Sequence, residues 1–355
     1  MSVRRLKHLC KKALPISGRA FLFLTQSVSA TSPVEIGLKY VDPCQYSFLM
    51  QYDVLIIGAG SAGLSAALTL GRCLRRVLVA DGGPPRNEAS PGVHGFLSRD
   101  GIPPAELLRV GHEQLRPYET VEVQCLKIDT IVRQGGGFRA IGHGAADDVP
   151  ITVRARRVLL ATGVSDILPA LPGFRELWGR GVLHCPYCHG WEVRGQPLAV
   201  YGQGRTVTGL ALLVSRWSPD VIVVTDGPGY LTPNARRRLR HQKIGIREEP
   251  VVRLIGSPTE GLRCIEFADG SQLERVALFL HAPQHQRSPL AAELGARLTS
   301  TGAVWVDKNA QTSLAGIYAA GDTTPGTQQA LLAAAAGNQA AICLNENLTR
   351  EECSR

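Results

Sequence analysis

The sequence predicts an α/β protein organised as two doubly wound sheets, and three stretches predict it. Tyr52–Ile57 and Leu198–Tyr201 are short apolar strands without alternation, each followed by glycines and a helix-forming run. Near the C-terminus, Gly316-Ile317-Tyr318-Ala319-Ala320-Gly321-Asp322 repeats strand then acid, ahead of an alanine-rich helix from about Gln328 to Ala341. Strands buried on both faces need helices above and below them, which specifies layered α/β packing.

Length and composition bound the rest. The chain of 355 residues is long enough for two domains of ordinary size, and 44% hydrophobic residues with 38 glycines suit a globular protein. There is no run of 18 apolar residues, so no membrane span is expected. Nine cysteines (10, 44, 73, 125, 185, 188, 264, 343, 353) are an odd number with one motif-like pair, which favours a reducing, cytoplasmic setting over a secreted disulfide scaffold. Of the net charge of +9, residues 1–49 hold +5, from seven Lys/Arg against Glu35 and Asp42. The body is only mildly basic and shows no nucleic-acid motif, so no nucleic-acid partner is expected.

Residues 1–49 resemble an organellar transit peptide in their Arg, Lys and Ser content, and Ser27-Val28-Ser29-Ala30 resembles a signal cleavage site. Pro15, Gly18 and Arg19 leave Ala20–Leu24 too short for a signal core, and Met50 stands directly before the first strand. A disordered extension, or a start assigned too far upstream, is therefore expected ahead of targeting.

The first strand enters Gly58-Ala59-Gly60-Ser61-Ala62-Gly63 and then a helix from Leu64 to about Leu70. Gly58 permits the tight turn, Gly60 lets a pyrophosphate approach the backbone, and Gly63 lets helix pack on strand, with phosphate at the helix N-terminus. A second strand, Arg76–Ala80, ends at Asp81, where a carboxylate binds ribose hydroxyls. Strand, glycines, helix, strand and acid in order make this a Rossmann-like dinucleotide site. Gly135-Gly136-Gly137 and Gly142-His143-Gly144 are read as punctuating short strands, and Arg157–Ala161 as another buried strand that ends in Ala161-Thr162-Gly163.

Between the two halves lies His184-Cys185-Pro186-Tyr187-Cys188-His189-Gly190-Trp191-Glu192. Thiols two residues apart close a small disulfide ring, and a nearby cation or helix start draws a thiol pKa down into the neutral range. The same spacing serves zinc, c-type haem and glutaredoxin-like sites, but the other cysteines are scattered singly and no metal site is expected. A second strand-turn-helix follows, Leu198-Ala199-Val200-Tyr201-Gly202-Gln203-Gly204-Arg205-Thr206-Val207, and makes Gly202 and Gly204 a second dinucleotide turn.

This order of motifs, spanning roughly residues 52–349, resembles the low-molecular-weight thioredoxin reductases. Cys-Pro-Tyr-Cys-His-Gly-Trp-Glu, together with Asp81-Gly82-Gly83-Pro84-Pro85-Arg86-Asn87 and His94-Gly95-Phe96-Leu97, is more similar still to the branch with gliotoxin-type dithiol oxidases. The resemblance implies an FAD-binding domain made of residues 50–166 and 285–349, split around a second NAD(P)H-like domain of residues 167–284 that carries the CxxC, with 350–355 as a tail. It implies FAD contacts from Gly58, Gly60, Ser61, Ala62, Gly63, Asp81, Asn87, Ala161, Thr162, Gly163, Gly321, Asp322, Gln329 and Ala330. Cys188 becomes the thiol nearest the flavin, Cys185 the outer thiol that meets a thioredoxin-like protein or a small-molecule disulfide or dithiol, and His189 the general acid/base, with His184 as the other candidate. A homodimer is implied, with 165–172 and 282–289 as hinges.

Two departures keep the electron donor open. Val207 stands at the third glycine of the second turn, and Asp226 ends the next strand, where it repels a 2′-phosphate and suits a free hydroxyl. Arg236, Arg237, Arg238 and Arg240 are read as a solvated helix face. The readings are a disulfide reductase fed by NAD(P)H, an enzyme fed by ferredoxin or carrying a second FAD in the second site, a dithiol oxidase running in reverse, or a non-catalytic flavin redox sensor. Cys73, Cys125, Cys264 and Cys343 are read as buried structural thiols.

Overall fold

A computed structural model describes residues 51–144 and 149–354; the extension 1–49 lies outside the described residues. The chain opens β1 (Gln51–Ile57), α1 (Ser61–Arg72), β2 (Val77–Ala80), α2 (Pro104–Leu115), β3 (Val121–Gln124), β4 (Leu126–Gln134), β5 (Gly137–Gly144), β6 (Pro150–Leu160). It continues β7 (Val164–Asp166), β8 (Val182–Leu183), α3 (Pro186–His189), β9 (Leu198–Tyr201), α4 (Gly204–Val214), β10 (Val221–Val224), α5 (Pro233–His241), β11 (Gly245–Arg247). It closes β12 (Val251–Ser257), β13 (Gly261–Phe267), β14 (Gln272–Glu274), β15 (Ala277–Leu280), β16 (Gln284–Gln286), α6 (Leu290–Glu293), β17 (Ile317–Ala319), α7 (Ala330–Cys353).

The first sheet runs β3-β2-β1-β6-β5-β4, and β17 also pairs with β6. One edge of β6 serves two partners: Val153–Ala155 face β5 antiparallel, while Val158–Leu160 face β17 in parallel. The C-terminal part of the chain thereby completes a sheet begun at Gln51. Successive β1 residues point to opposite faces, so Leu55 and Ile57 fill one core and Val54 and Ile56 the other. Each fully buried Val, Leu or Ile contributes about 1.5–3 kcal/mol relative to exposure. Helix α7 lies against α1 at Gly337, where a Cβ would stand 2.0 Å from the Ala62 carbonyl oxygen.

The second sheet, β11-β10-β9-β15-β8, is wholly parallel, with β12-β13-β14 as a separate antiparallel sheet. Two chain passages join it to the first sheet, and they pair with each other: β7 and β16 form an antiparallel ribbon with Asp166 opposite Gln284.

Three expectations need correction. Helix α7 runs to Cys353, so 350–353 are helix rather than tail; Glu351 pairs with Arg157 at 2.5 Å and Glu352 with Arg75 at 2.8 Å. Gly142-His143-Gly144 lies inside β5, not between strands. A Cβ at Gly142 would fall 2.2 Å from the Lys127 carbonyl oxygen, next to the bulge at Ile128–Thr130. Cys73 and Cys125 are exposed, one capping α1 and one between β3 and β4, whereas Cys264 and Cys343 are buried. Among the described residues no helix is long and apolar enough to cross a membrane.

Candidate active site

The C-terminal ends of the first sheet open into a cavity of about 460 Å³. Gly58, Gly60, Ser61, Ala62, Asp81, Asn87, Ala161, Thr162, Gly163, Gly321, Asp322, Gln329 and Ala330 all line it, and so do Cys185, Cys188 and His189. Gly63, Gly202 and Gly204 do not.

The three glycines of the first turn are there for different reasons. Gly58 sits at φ +106°, and a Cβ would meet the Ala161 carbonyl oxygen at 2.4 Å. At Gly63 a Cβ would stand 1.8 Å from the Gly58 carbonyl oxygen, so only glycine lets α1 close on the turn. Gly60 has φ −72° and ψ −174°, and nothing lies within 4 Å of its missing Cβ. The fold itself does not need glycine at 60. The space it leaves faces the cavity, before a helix with no side-chain cap, whose first amides have no intrahelical partner. That cradle fits a pyrophosphate, the central part of FAD.

Opposite the cradle is the cysteine turn. Cys185 caps the short helix α3, Pro186 occupies its first position, and the Cys188 amide donates to the Cys185 carbonyl at 3.2 Å. The hydrogen bond from Cys188 draws the Cys185 thiol down to about 7, against burial; two backbone amides and Arg86 add to it. The same bond and burial push Cys188 up, while the Gln329 side chain pulls it the other way. The bond between the two thiols thus favours the anion at Cys185 over Cys188. Ser90 donates to the Gly92 carbonyl at 2.8 Å and lies 3.1 Å from His189 Nε2. One hydroxyl proton cannot serve both, so Nε2 carries the imidazole proton. Nδ1 is buried without a hydrogen-bond partner, and burial lowers the His189 pKa. His184, held to about 4 by burial and by Arg86, stacks on His281.

Sequence reasoning missed the polar network behind the thiols. Arg86 forks onto Asp166, with Nε and Nη2 each at 2.7 Å, and its Nη1 reaches Asp322 at 3.1 Å and Gln328 at 2.7 Å. Gln284 donates to Asp166 at 2.9 Å. Arg86 stood in the quoted motif beside Asn87, but nothing local names partners so remote in sequence. Also missed was His94, 3.5 Å from Glu192.

The second glycine turn is built differently. The Gly204 amide donates to the Gly229 carbonyl at 2.8 Å, and Gln203 donates to the Thr225 carbonyl at 3.0 Å. Asp226, at φ +52°, accepts from the Tyr201 hydroxyl and from the Val251 amide, each at 2.7 Å. Each carboxylate oxygen thus takes one protein donor, which fixes the orientation of the acid at the end of β10. Val207 is buried at 2% exposure and packs 3.6 Å from the Cβ position of Gly202.

A dinucleotide cradle and a two-thiol turn in one cavity define an FAD-dependent disulfide oxidoreductase of the thioredoxin reductase-like kind. The chain belongs to the pyridine nucleotide-disulphide oxidoreductase family, whose profile matches residues 52–340. It is 30% identical to a probable thioredoxin reductase of Arthroderma benhamiae, over 85% of this chain and 81% of that one. It is 29% identical to thioredoxin reductase sirT of Leptosphaeria maculans, over 83% and 93%. Among solved structures, HlmI is similar at 36% identity and TM-score 0.78, covering 86% of this chain and 94% of its own.

Proposed function

We propose that the chain moves two electrons between FAD in the first cradle and the Cys185–Cys188 pair, and between Cys185 and an external disulfide or dithiol. Residues 50–166 with 285–349 act as the flavin domain and 167–284 as the domain that carries the thiols. When bound, FAD supplies a two-electron carrier. Cys188 is the inner thiol, beside the Gln329 amide at the start of α7. Cys185, a thiolate near neutral pH, attacks the partner disulfide, and the mixed disulfide resolves when Cys188 attacks Cys185. His189, neutral through burial, takes the Cys188 proton at Nδ1 and returns it to the leaving thiolate. The partner is a thioredoxin-like protein or a small-molecule disulfide or dithiol, and a cytoplasmic homodimer completes the reading.

The observation that carries it is the shared cavity: Gly60, Gln329 and both thiols line one space. The test is anaerobic bleaching of the flavin absorbance by a dithiol. Cys188→Ser is expected to abolish bleaching with flavin per chain unchanged; bleaching at the parent rate would sink the assignment.

A second reading, independence from nicotinamide, is favoured by the self-bonded Gly204 turn and by the Asp226 carboxylate where a 2′-phosphate would need a cation. It makes the enzyme a dithiol oxidase that passes electrons to oxygen or another acceptor. Neither NADPH nor NADH is then expected to bleach the flavin, and rapid bleaching by either restores the reductase reading.

A further inference from the structure

Arg86 joins three parts of the molecule that the chain keeps far apart. Its partners Asp166, Asp322 and Gln328 lie 80, 236 and 242 residues away. Asp166 is on β7, one strand of the ribbon between the two sheets, and its side chain is 4% exposed. Gln284, opposite on β16, donates to Asp166 and exchanges amide hydrogen bonds with Gln328 at 2.8 and 2.9 Å. Gln328 precedes Gln329, whose side chain acts on Cys188. A guanidinium that holds one carboxylate with two parallel bonds and a second carboxylate with its remaining nitrogen fixes all three segments in angle as well as distance.

We infer that Arg86 is the positioning residue of the dithiol: it pins both crossing strands to the turn before α7, fixes the cysteine turn over the flavin cradle, and sets a permanent positive charge behind the two sulfurs. The inference rests on the pair being the redox centre. Arg86 favours the anion at Cys185 and at Cys188, and opposes a second cation at His184. Asp166 and Asp322 share the cavity wall with these groups. His281 stacks behind His184, and Glu192 with His94 acts on His189. Without Arg86 the two carboxylates would face the thiols and each other uncompensated. Asp322, already raised by burial, is held down mainly by this guanidinium.

The test uses flavin-loaded Cys188→Ser protein, in which a hydroxyl still donates to Cys185, and follows iodoacetamide alkylation of Cys185 against pH. Adding Arg86→Gln is expected to raise the midpoint by about one unit, roughly a tenfold loss of thiolate below it. Arg86→Lys keeps the charge but cannot fork onto Asp166. It is expected to restore the midpoint in that background, yet in the intact dithiol enzyme to slow flavin bleaching by dithiothreitol about tenfold. An unshifted midpoint in Arg86→Gln, or parent bleaching in Arg86→Lys, overturns the inference; the lysine variant carries the test if the glutamine variant does not fold. If dithiothreitol fails to bleach the parent flavin, the redox reading itself falls, an outcome separate from the alkylation result.

Discussion

The two glycine turns share a strand, a sharp bend and a helix, and they differ in where their polar groups point. Neither helix has a side-chain cap, and at Gly60 the missing side chain opens onto a cavity. At Gly204 the missing side chain also meets open space, but the amide is already bonded to Gly229. A fingerprint therefore says that a chain bends in a certain way. Whether its donors remain available to a ligand depends on the loop that returns over them, here Asp226–Tyr230 after β10.

The largest effect that tests this contrast lies at the helix contact. Gly63→Ala drives a methyl group into the Gly58 carbonyl, while Val207 already fills the matching place in the second turn. A loss of about 3 kcal/mol is expected, read as an apparent Tm lower by about 10 °C; an unchanged Tm would show that the first turn tolerates the looser packing of the second. Next is Gly60→Val, whose Cβ would meet no protein atom within 4 Å. Far-ultraviolet circular dichroism is expected to match the parent, with flavin per chain at least about tenfold lower at limiting FAD; full flavin content would remove Gly60 from the cradle. The smallest effect belongs to Gly204→Ala, where φ is +66°. It is expected to cost about 1–2 kcal/mol in denaturant unfolding and to leave flavin content untouched. A loss of flavin there would mean that the second turn also holds a nucleotide.

What the sequence made legible was local. Apolar strands without alternation, glycines at fixed offsets and thiols two residues apart are each encoded within a dozen residues, and these features all appear in the fold. The separate reasons for Gly58, Gly60 and Gly63 were legible from their order in the fingerprint, and the Cβ distances add the magnitudes: 1.8 Å to a carbonyl oxygen at Gly63 and open space at Gly60. The Arg86 network was not legible, because a single arginine carries no period and its partners are set by the tertiary crossing of β7 and β16. The exposure of Cys73 and Cys125 was missed because an isolated cysteine is usually buried, and here one ends a helix and the other joins two strands. The charge of Asp226 was legible, but its left-handed backbone and its two internal donors, Tyr201 and Val251, were not, because they depend on how the chain returns after β10.

Because β7 and β16 run side by side in opposite directions, everything from Ile167 to Pro283 leaves and rejoins the first sheet at one place. Such a stretch behaves as a cassette. Joining Val164 to Gln286 would keep all seven strands of the host sheet, and the cost of closing a longer or shorter loop changes only with the logarithm of its length. Cys185 and Cys188 ride on the cassette, while Gly58–Gly63 and Asp322 stay with the host. Exchange of such cassettes can alter what is oxidised or reduced without rebuilding the cradle that holds the flavin.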